Sequence, residues 1–229
     1  MSPQFRKVHR PPLLPISITS VLSKVFERLV SVRLGRCMES IGVLPTTQFA
    51  YQKGLGTCDA LLCMSHTLHS ALENDQEARI VQIDFSAAFD RVNHLGILYR
   101  LCFVGIGGSV LSILTQFLSK RSQHVMVDGC LSKLVDVSGV TQGSVLDLLL
   151  FLLYTSELFS ILENKLNGYA DDPTLIAVVP SLGVRVTVVE SLIRDLGRDS
   201  EWCDLWGMKL NASTTIVSRS RIELLVELY

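Results

Sequence analysis

The chain has 229 residues, a formal net charge of −1, and is 48% hydrophobic and 19% charged. That length suffices for one domain with a sizeable core or two small ones, and the composition excludes a disordered chain. The overall charge gives no support to nucleic-acid binding, although basic residues cluster early, at Arg6, Lys7, Arg10, Lys24, Arg28, Arg33 and Arg36. Cys37, Cys58, Cys63, Cys102, Cys130 and Cys203 form no C-x-x-C pair and have no histidines at zinc-ligand spacing. They read as reduced thiols of an intracellular protein, with nucleus and cytoplasm both open. The polar, basic start is not followed by an apolar core, and the longest apolar run, Val145 to Tyr154, is short and contains Asp147. Neither a signal peptide nor a membrane span is expected.

In chain order, residues 1–15 are rich in Pro and basic residues and read as irregular. Ile18, Val21, Leu22, Val25, Phe26, Leu29 and Val30 follow helical spacing, with Ser17 or Thr19 available as a cap. Lys24, Arg28 and Arg33 fall on the other face, either solvated or against a phosphate backbone. The stretch Leu44 to Thr57 packs aromatics, Lys53 and two glycines together. It is either a phosphate-approaching loop or an ordinary one with Thr57 capping the next helix. That helix runs to about Glu73, and its His66 and His69, lacking a third ligand, read as surface residues.

Arg79 to Phe85 is a β-branched strand ending in Asp84. Phe89, five residues on, is either a core aromatic or a side chain closing over a sugar. Helices are expected over 94–101 and 109–118, then strands 123–127 and 133–137 joined at Asp128-Gly129. Ser138 to Ser144 precedes a long apolar stretch to about Leu162. Gly143 and Ser144 there form either a helix N-terminal anion site or a turn with a serine cap. A helix over 184–206 and two short strands within 209–217 complete the reading, and 221–229 is unassigned.

Tyr169-Ala170-Asp171-Asp172 lies between two apolar runs, Lys165 to Gly168 and Thr174 to Val179. This is a β-hairpin with two carboxylates at its tip, where Asp can take the positive φ of a tight turn. Solvated turn residues are the plain alternative. If the Asp84 strand lies beside this hairpin, Asp84 and Asp171 face each other. Hard divalent cations take such oxygen ligands, and two metals about 4 Å apart activate an attacking hydroxyl and stabilise a leaving oxygen.

The order of these blocks closely resembles the reverse transcriptase domain of non-long-terminal-repeat retrotransposons, LINE-like elements including the jockey-type group. The blocks are the Pro15-Ile16-Ser17 helix, Gln48-Phe49 to Asp59-Ala60, Ile83 to Asp90, Gln142-Gly143-Ser144 and Tyr169 to Asp172, and the likeness spans roughly residues 12 to 218. The resemblance implies an α+β right-hand fold with an antiparallel palm sheet flanked by helices. Fingers would span 16–78 and palm 79–218, before a 219–229 tail and with no thumb. It implies RNA-directed DNA synthesis, with nucleotidyl transfer from dNTPs to a primer 3′-hydroxyl on an RNA template. It implies two Mg²⁺ ions, with Mn²⁺ as a substitute. By position Asp84, Asp171 and Asp172 match the metal-binding carboxylates and Phe89 the sugar-selecting residue. Lys53 matches the triphosphate contact, and Gln142, Gly143 and Ser144 the block beside the incoming nucleotide.

Departures from the family pattern carry their own expectations. Thr141 stands where the family has Pro, and Asp147-Leu148 where it has Gly-Pro, which places a carboxylate in an apolar helix at a cost if buried. Pro173 is expected to distort the hairpin. Thr214 and Thr215 follow Asn211-Ala212-Ser213, where a lysine, a proton donor to pyrophosphate, is expected. These leave a rival reading open, a catalytically dead palm-fold derivative that binds RNA or protein. A third reading, an RNA-dependent RNA polymerase, conflicts with Phe89, because such an enzyme must admit the 2′-hydroxyl.

Overall fold

The computed structural model describes residues 17–127, 129–141 and 143–220. The first helix, α1 (Val21–Ile41), is capped by Ser20, whose hydroxyl accepts from Ser23 N–H at 3.1 Å, and stops at Gly42 with φ 70°. In α2 (Thr57–Glu73), Asp59 rather than Thr57 does the capping, accepting from Gly56 N–H at 2.8 Å. Strand β1 (Glu77–Gln82) follows, then α3 (Ala88–Arg91), α4 (His94–Phe103) and α5 (Gly108–Leu118). The Asn93 side chain caps α4 through Leu95 N–H at 2.8 Å. Two small ribbons come next: β2 (Ser122–Gln123) pairs with β5 (Val135–Asp136), and β3 (Met126–Val127) with β4 (Cys130–Leu131).

Helix α6 (Val145–Thr155) is apolar all round, so it can be stable only when enclosed. It is the centre of the molecule: Leu146, Leu149 to Leu153 and Tyr154 are all buried, alongside Ile97, Leu101, Leu114, Leu175 and Trp202. Helix α1 packs on it where Gly35 approaches Leu149. After α7 (Leu158–Ile161) come β6 (Lys165–Tyr169), β7 (Asp172–Val179), α8 (Arg185–Trp206) and β8 (Ile216–Ser220).

The main sheet is antiparallel in the order β6-β7-β1-β8. β1 pairs with β7 from Glu77↔Val179 to Gln82↔Thr174 and with β8 from Ala78↔Ser220 to Gln82↔Ile216. Helix α2 lies against β1 and β6, and α8 against β7. The buried Asp195 of α8 accepts from Glu163 N–H, Asn164 N–H and Asn164 Nδ2, each at 2.8 Å, fixing the corner from which β6 starts.

The structure also departs from the sequence-based expectations at α1, over 209–217 and at Pro173. Most of the apolar stripe faces outward, with Ile18, just ahead of α1, 85% and Leu22 83% exposed and only Val30 against the core, while Glu27, Ser31, Leu34 and Met38 form the buried face. Between 209 and 217, Leu210 forms only an isolated bridge with Phe85, and the strand starts at Ile216. Pro173 leaves the hairpin in register, with Gly168↔Pro173 and Tyr169↔Asp172 paired. The closing pair of a two-residue hairpin faces its partner strand, so Pro173 faces the other way. There its carbonyl accepts from Ile83 N–H at 3.0 Å, while the reciprocal bond to Ile83 O, which a Pro173 N–H would make, is missing, so the β1–β7 pairing ends at Gln82↔Thr174 and the hairpin itself loses nothing.

Candidate active site

The β6–β7 hairpin turns through Ala170 and Asp171. Ala170, not an aspartate, takes the positive φ, at 58°. A non-glycine residue there is strained by roughly 1 kcal/mol and needs outside support. That support is Gln48, whose side-chain amide bonds both the N–H and the carbonyl of Ala170, at 3.0 and 3.2 Å. Asp171 is half-buried and Asp172 exposed.

Asp84 lies two residues beyond β1, at the same end of the sheet. The antiparallel pairing of β1 with β7 brings it beside the hairpin tip. Its backbone carbonyl accepts from Asn211 N–H at 2.8 Å, and its Oδ2 accepts from Asn211 Nδ2 at 2.9 Å and from the Thr214 hydroxyl. Sequence reasoning missed both the Gln48 clamp and the two neutral donors on Asp84. Gln48 and Asn211 stood inside recognised blocks, but partners 122 and 127 residues away leave no mark on local periodicity.

Asp171 and Asp172 both sense the charge of Asp84. Burial, then the charges of Asp172 and Asp84, raise the Asp171 carboxyl above the ordinary range, while a backbone N–H opposes the rise. Burial, then the charge of Asp84, does the same to Asp172. Among the described residues no lysine or arginine forms an ion pair with any of the three. An oxygen-only, mutually repelling, uncompensated set suits a hard divalent cation. Among the described residues no three acidic, histidine or cysteine side chains converge closely enough to enclose one. Mg²⁺ needs only one or two carboxylates when phosphates supply the remaining ligands.

A cleft of about 680 Å³ opens between α1, the 44–53 loop and the start of α6. Arg28, Arg36 and Lys53 line it together with Tyr51, Gln52, Glu39 and Val145. Tyr51, with φ 56°, has its hydroxyl pKa raised by burial and then by the charges of Asp171 and Tyr169, so this cleft borders the carboxylates. Phe89 is 7% exposed and stacks on Phe151 with centroids 4.3 Å apart, a core placement. Its carbonyl accepts from Val140 N–H at 2.9 Å, which ties it to the 139–144 loop. Gly139, φ 73°, sits against that same carbonyl, where any Cβ would lie 2.2 Å from it. Gly143 is exposed with φ 109°. Ser144 is buried and caps α6, accepting from Asp147 N–H at 3.0 Å, so its hydroxyl serves the helix. Gln142 lies outside the described residues.

The chain matches the reverse transcriptase (RNA-dependent DNA polymerase) family over residues 13–225. It belongs to that family. It is 29% identical over 207 residues to the RNA-directed DNA polymerase from mobile element jockey of Drosophila melanogaster, covering 86% of this chain and 22% of that protein. It is 31% identical over 211 residues to the probable RNA-directed DNA polymerase from transposon BS of the same species, covering 88% and 23%. The chain thus spans under a quarter of the length of these retrotransposon relatives. Among solved structures it is similar in fold to apo telomerase from Candida tropicalis truncated from its C-terminal domain. The TM-score is 0.61 at 12% identity, over 86% of this chain and 42% of that one. Telomerase from the same organism in complex with the TWJ fragment of telomeric RNA also gives 0.61, at 13% identity over 88% and 34%.

Two departures from the reverse transcriptase pattern meet in one cluster. Asp147 is 0% exposed, yet its carboxylate accepts from Thr141 N–H at 2.9 Å, from the Thr141 hydroxyl and from Arg121 Nη1 at 3.0 Å to both oxygens. Arg121 also donates to Thr141 Oγ1 at 3.0 Å and lies over the Phe117 ring. The desolvation cost expected of Asp147 is therefore met by a charge partner and a donor that proline at 141 would not have. Among the described residues no helix of this reverse transcriptase domain is long and apolar enough to cross a membrane.

Proposed function

We propose that this domain catalyses RNA-directed DNA synthesis, with Asp84, Asp171 and Asp172 as the ligands of two Mg²⁺ ions, or Mn²⁺ in their place. The observation that carries this reading is the antiparallel pairing of β1 with β7, which sets Asp84 beside the Asp171-Asp172 turn at one sheet end. Metal ions there would activate the primer 3′-hydroxyl and stabilise the leaving oxygen of pyrophosphate. The chain's own groups bind and orient. Lys53, with Arg28 and Arg36 around the same cleft, attracts the phosphates of a dNTP. Phe89 matches the family's sugar-selecting position, but its ring packs in the core on Phe151, so discrimination against a ribose 2′-hydroxyl would act through the 139–144 loop that its carbonyl holds. Gly143 offers backbone without a side chain beside the nucleotide, and Gln142 and Ser144 flank it in sequence. An RNA template and a DNA primer are the implied partners.

Asp171→Asn is expected to abolish nucleotide incorporation while the circular dichroism spectrum and melting stay those of a folded chain. Incorporation equal to that of the unaltered chain would overturn the carboxylate assignment. A second reading is a palm-fold derivative that binds RNA or a protein partner without catalysis. The observation favouring it is the Asp84 carboxylate, already engaged by Asn211 and Thr214, with threonines at 214 and 215 where the family pattern has a lysine. RNA binding without incorporation, by folded protein, would select it.

A further inference from the structure

One side chain joins the loop carrying Tyr51 and Lys53 to the carboxylate turn. Gln48 is 1% exposed. Its Oε1 accepts from Ala50 N–H at 3.1 Å and Ala170 N–H at 3.0 Å, and its Nε2 donates to the Ala170 carbonyl at 3.2 Å. A flipped amide would set N–H groups against N–H groups, so the network fixes its orientation. Beside it, Phe49 N–H donates to Gly168 O at 2.9 Å and Gly168 N–H to Thr47 O at 2.8 Å, which docks the loop on β6. A Cβ at Gly168 would lie 2.9 Å from Gln48 Nε2 and 2.5 Å from the Phe159 ring, so this strand position is kept bare around the amide. Gln52 closes the loop from the other side, its Nε2 donating to the Gln48 carbonyl and, at 3.1 Å, to Pro45 O.

We propose that Gln48 is a positioning residue of the active site, holding Ala170 in its left-handed conformation and thereby aiming Asp171 and Asp172. Through it the placement of the Tyr51–Lys53 loop and the geometry of the carboxylate turn are linked. The inference rests on the metal-binding reading of the two aspartates, and its test separates the two.

The test uses Gln48→Glu and Gln48→Ala in the full chain. Mn²⁺ affinity is read by electron paramagnetic resonance between about pH 5.5 and about pH 8.5, and amide exchange at Ala170 by NMR. A protonated carboxyl at position 48 reproduces the native pattern, accepting from two N–H groups and donating to Ala170 O. Its ionised form sets negative oxygen against that carbonyl. Among the described residues, the other titratable groups around the site are Asp84, Asp171, Asp172, Tyr51 and Tyr169, with Lys53 on the same loop as Tyr51. The unaltered chain shares all of them, so the ratio of variant to unaltered protein isolates the new carboxyl. For Gln48→Ala we expect Mn²⁺ affinity about 10-fold weaker at every pH, and faster exchange at Ala170. For Gln48→Glu we expect near-native behaviour at the acid end and about a 10-fold loss at the alkaline end. Native affinity and exchange in both variants, or a pH-independent loss in Gln48→Glu, would overturn the proposal. If the unaltered chain binds no Mn²⁺ but the Ala170 exchange rate of Gln48→Glu, taken as a ratio to that of the unaltered chain at the same pH, still rises with pH, the clamp stands and the metal reading falls. If Gln48→Ala fails to fold, the pH series on Gln48→Glu decides alone.

Discussion

Asp199 carries a carboxyl that α8 buries completely, with Cys203 Sγ at 3.9 Å as a weak partner for one oxygen. Burial pushes its pKa up to about 7, the thiol contact only partly opposing the rise. A carboxyl with a raised folded pKa is fully accommodated below its unfolded pKa, and stability is lost as pH rises through the folded value. Asp199→Asn is therefore expected to raise Tm by several degrees near pH 8 and to leave it almost unchanged near pH 4. Equal shifts at both would contradict this. Asp171 and Asp172 have the same sign, because burial first, and then the charge of Asp84 (with that of Asp172 for Asp171), raise both. A divalent cation relieves that repulsion only where the carboxyls are ionised, so Mn²⁺ should raise Tm above neutrality and lose the effect near pH 4. The Asp171-Asp172 pair alone reads as a solvated turn, and became legible as a candidate only through the second acidic strand end at Asp84 and the order of the blocks. Gln48, Asn211 and Thr214 were not, because their roles exist only once residues more than a hundred positions apart meet.

At the scale of elements, α6 is held at its start by the Arg121–Thr141–Asp147 cluster. Removing Arg121 leaves a buried carboxylate without its charge partner, and Arg121→Ala should cost about 3–5 kcal/mol in urea unfolding. Thr141→Pro removes the N–H and the hydroxyl that Asp147 accepts from, and should cost about 2 kcal/mol. In an Asp147→Gly background the same change should cost far less, since the acceptor is gone. Additive losses would show that the two residues are not coupled. Phe89→Ala should destabilise by about 3–4 kcal/mol through its stack on Phe151, so sugar selection is better probed by Phe89→Leu. Periodicity located α4, α5, α8 and the hairpin because their patterns match the faces they bury. It misplaced the face of α1. A stripe of Ile18, Leu22 and Leu29 shows that a helix is amphipathic, not which side the rest of the molecule takes, and here Gly35 and Met38 set that side.

For the whole molecule, five blocks in order carry the resemblance to the reverse transcriptase family, and the family match over residues 13–225 bears it out. The antiparallel sheet brings these distant blocks to one end: β1 leads to Asp84, β7 follows the turn aspartates, and the 44–53 loop borders the basic cleft. The order β6-β7-β1-β8 was not legible, because strand neighbours chosen by long-range packing leave no local signature. The compensation of Asp147 by Thr141 and Arg121 was likewise invisible, since the sequence showed two departures and not their contact. The measurement that tests the account most directly is primer extension on poly(rA)–oligo(dT) by the purified, folded chain, with dTTP and either Mg²⁺ or EDTA. The account predicts extension that requires the metal and disappears in Asp171→Asn. No extension with Mg²⁺ or Mn²⁺, from protein whose melting shows it folded, would contradict it.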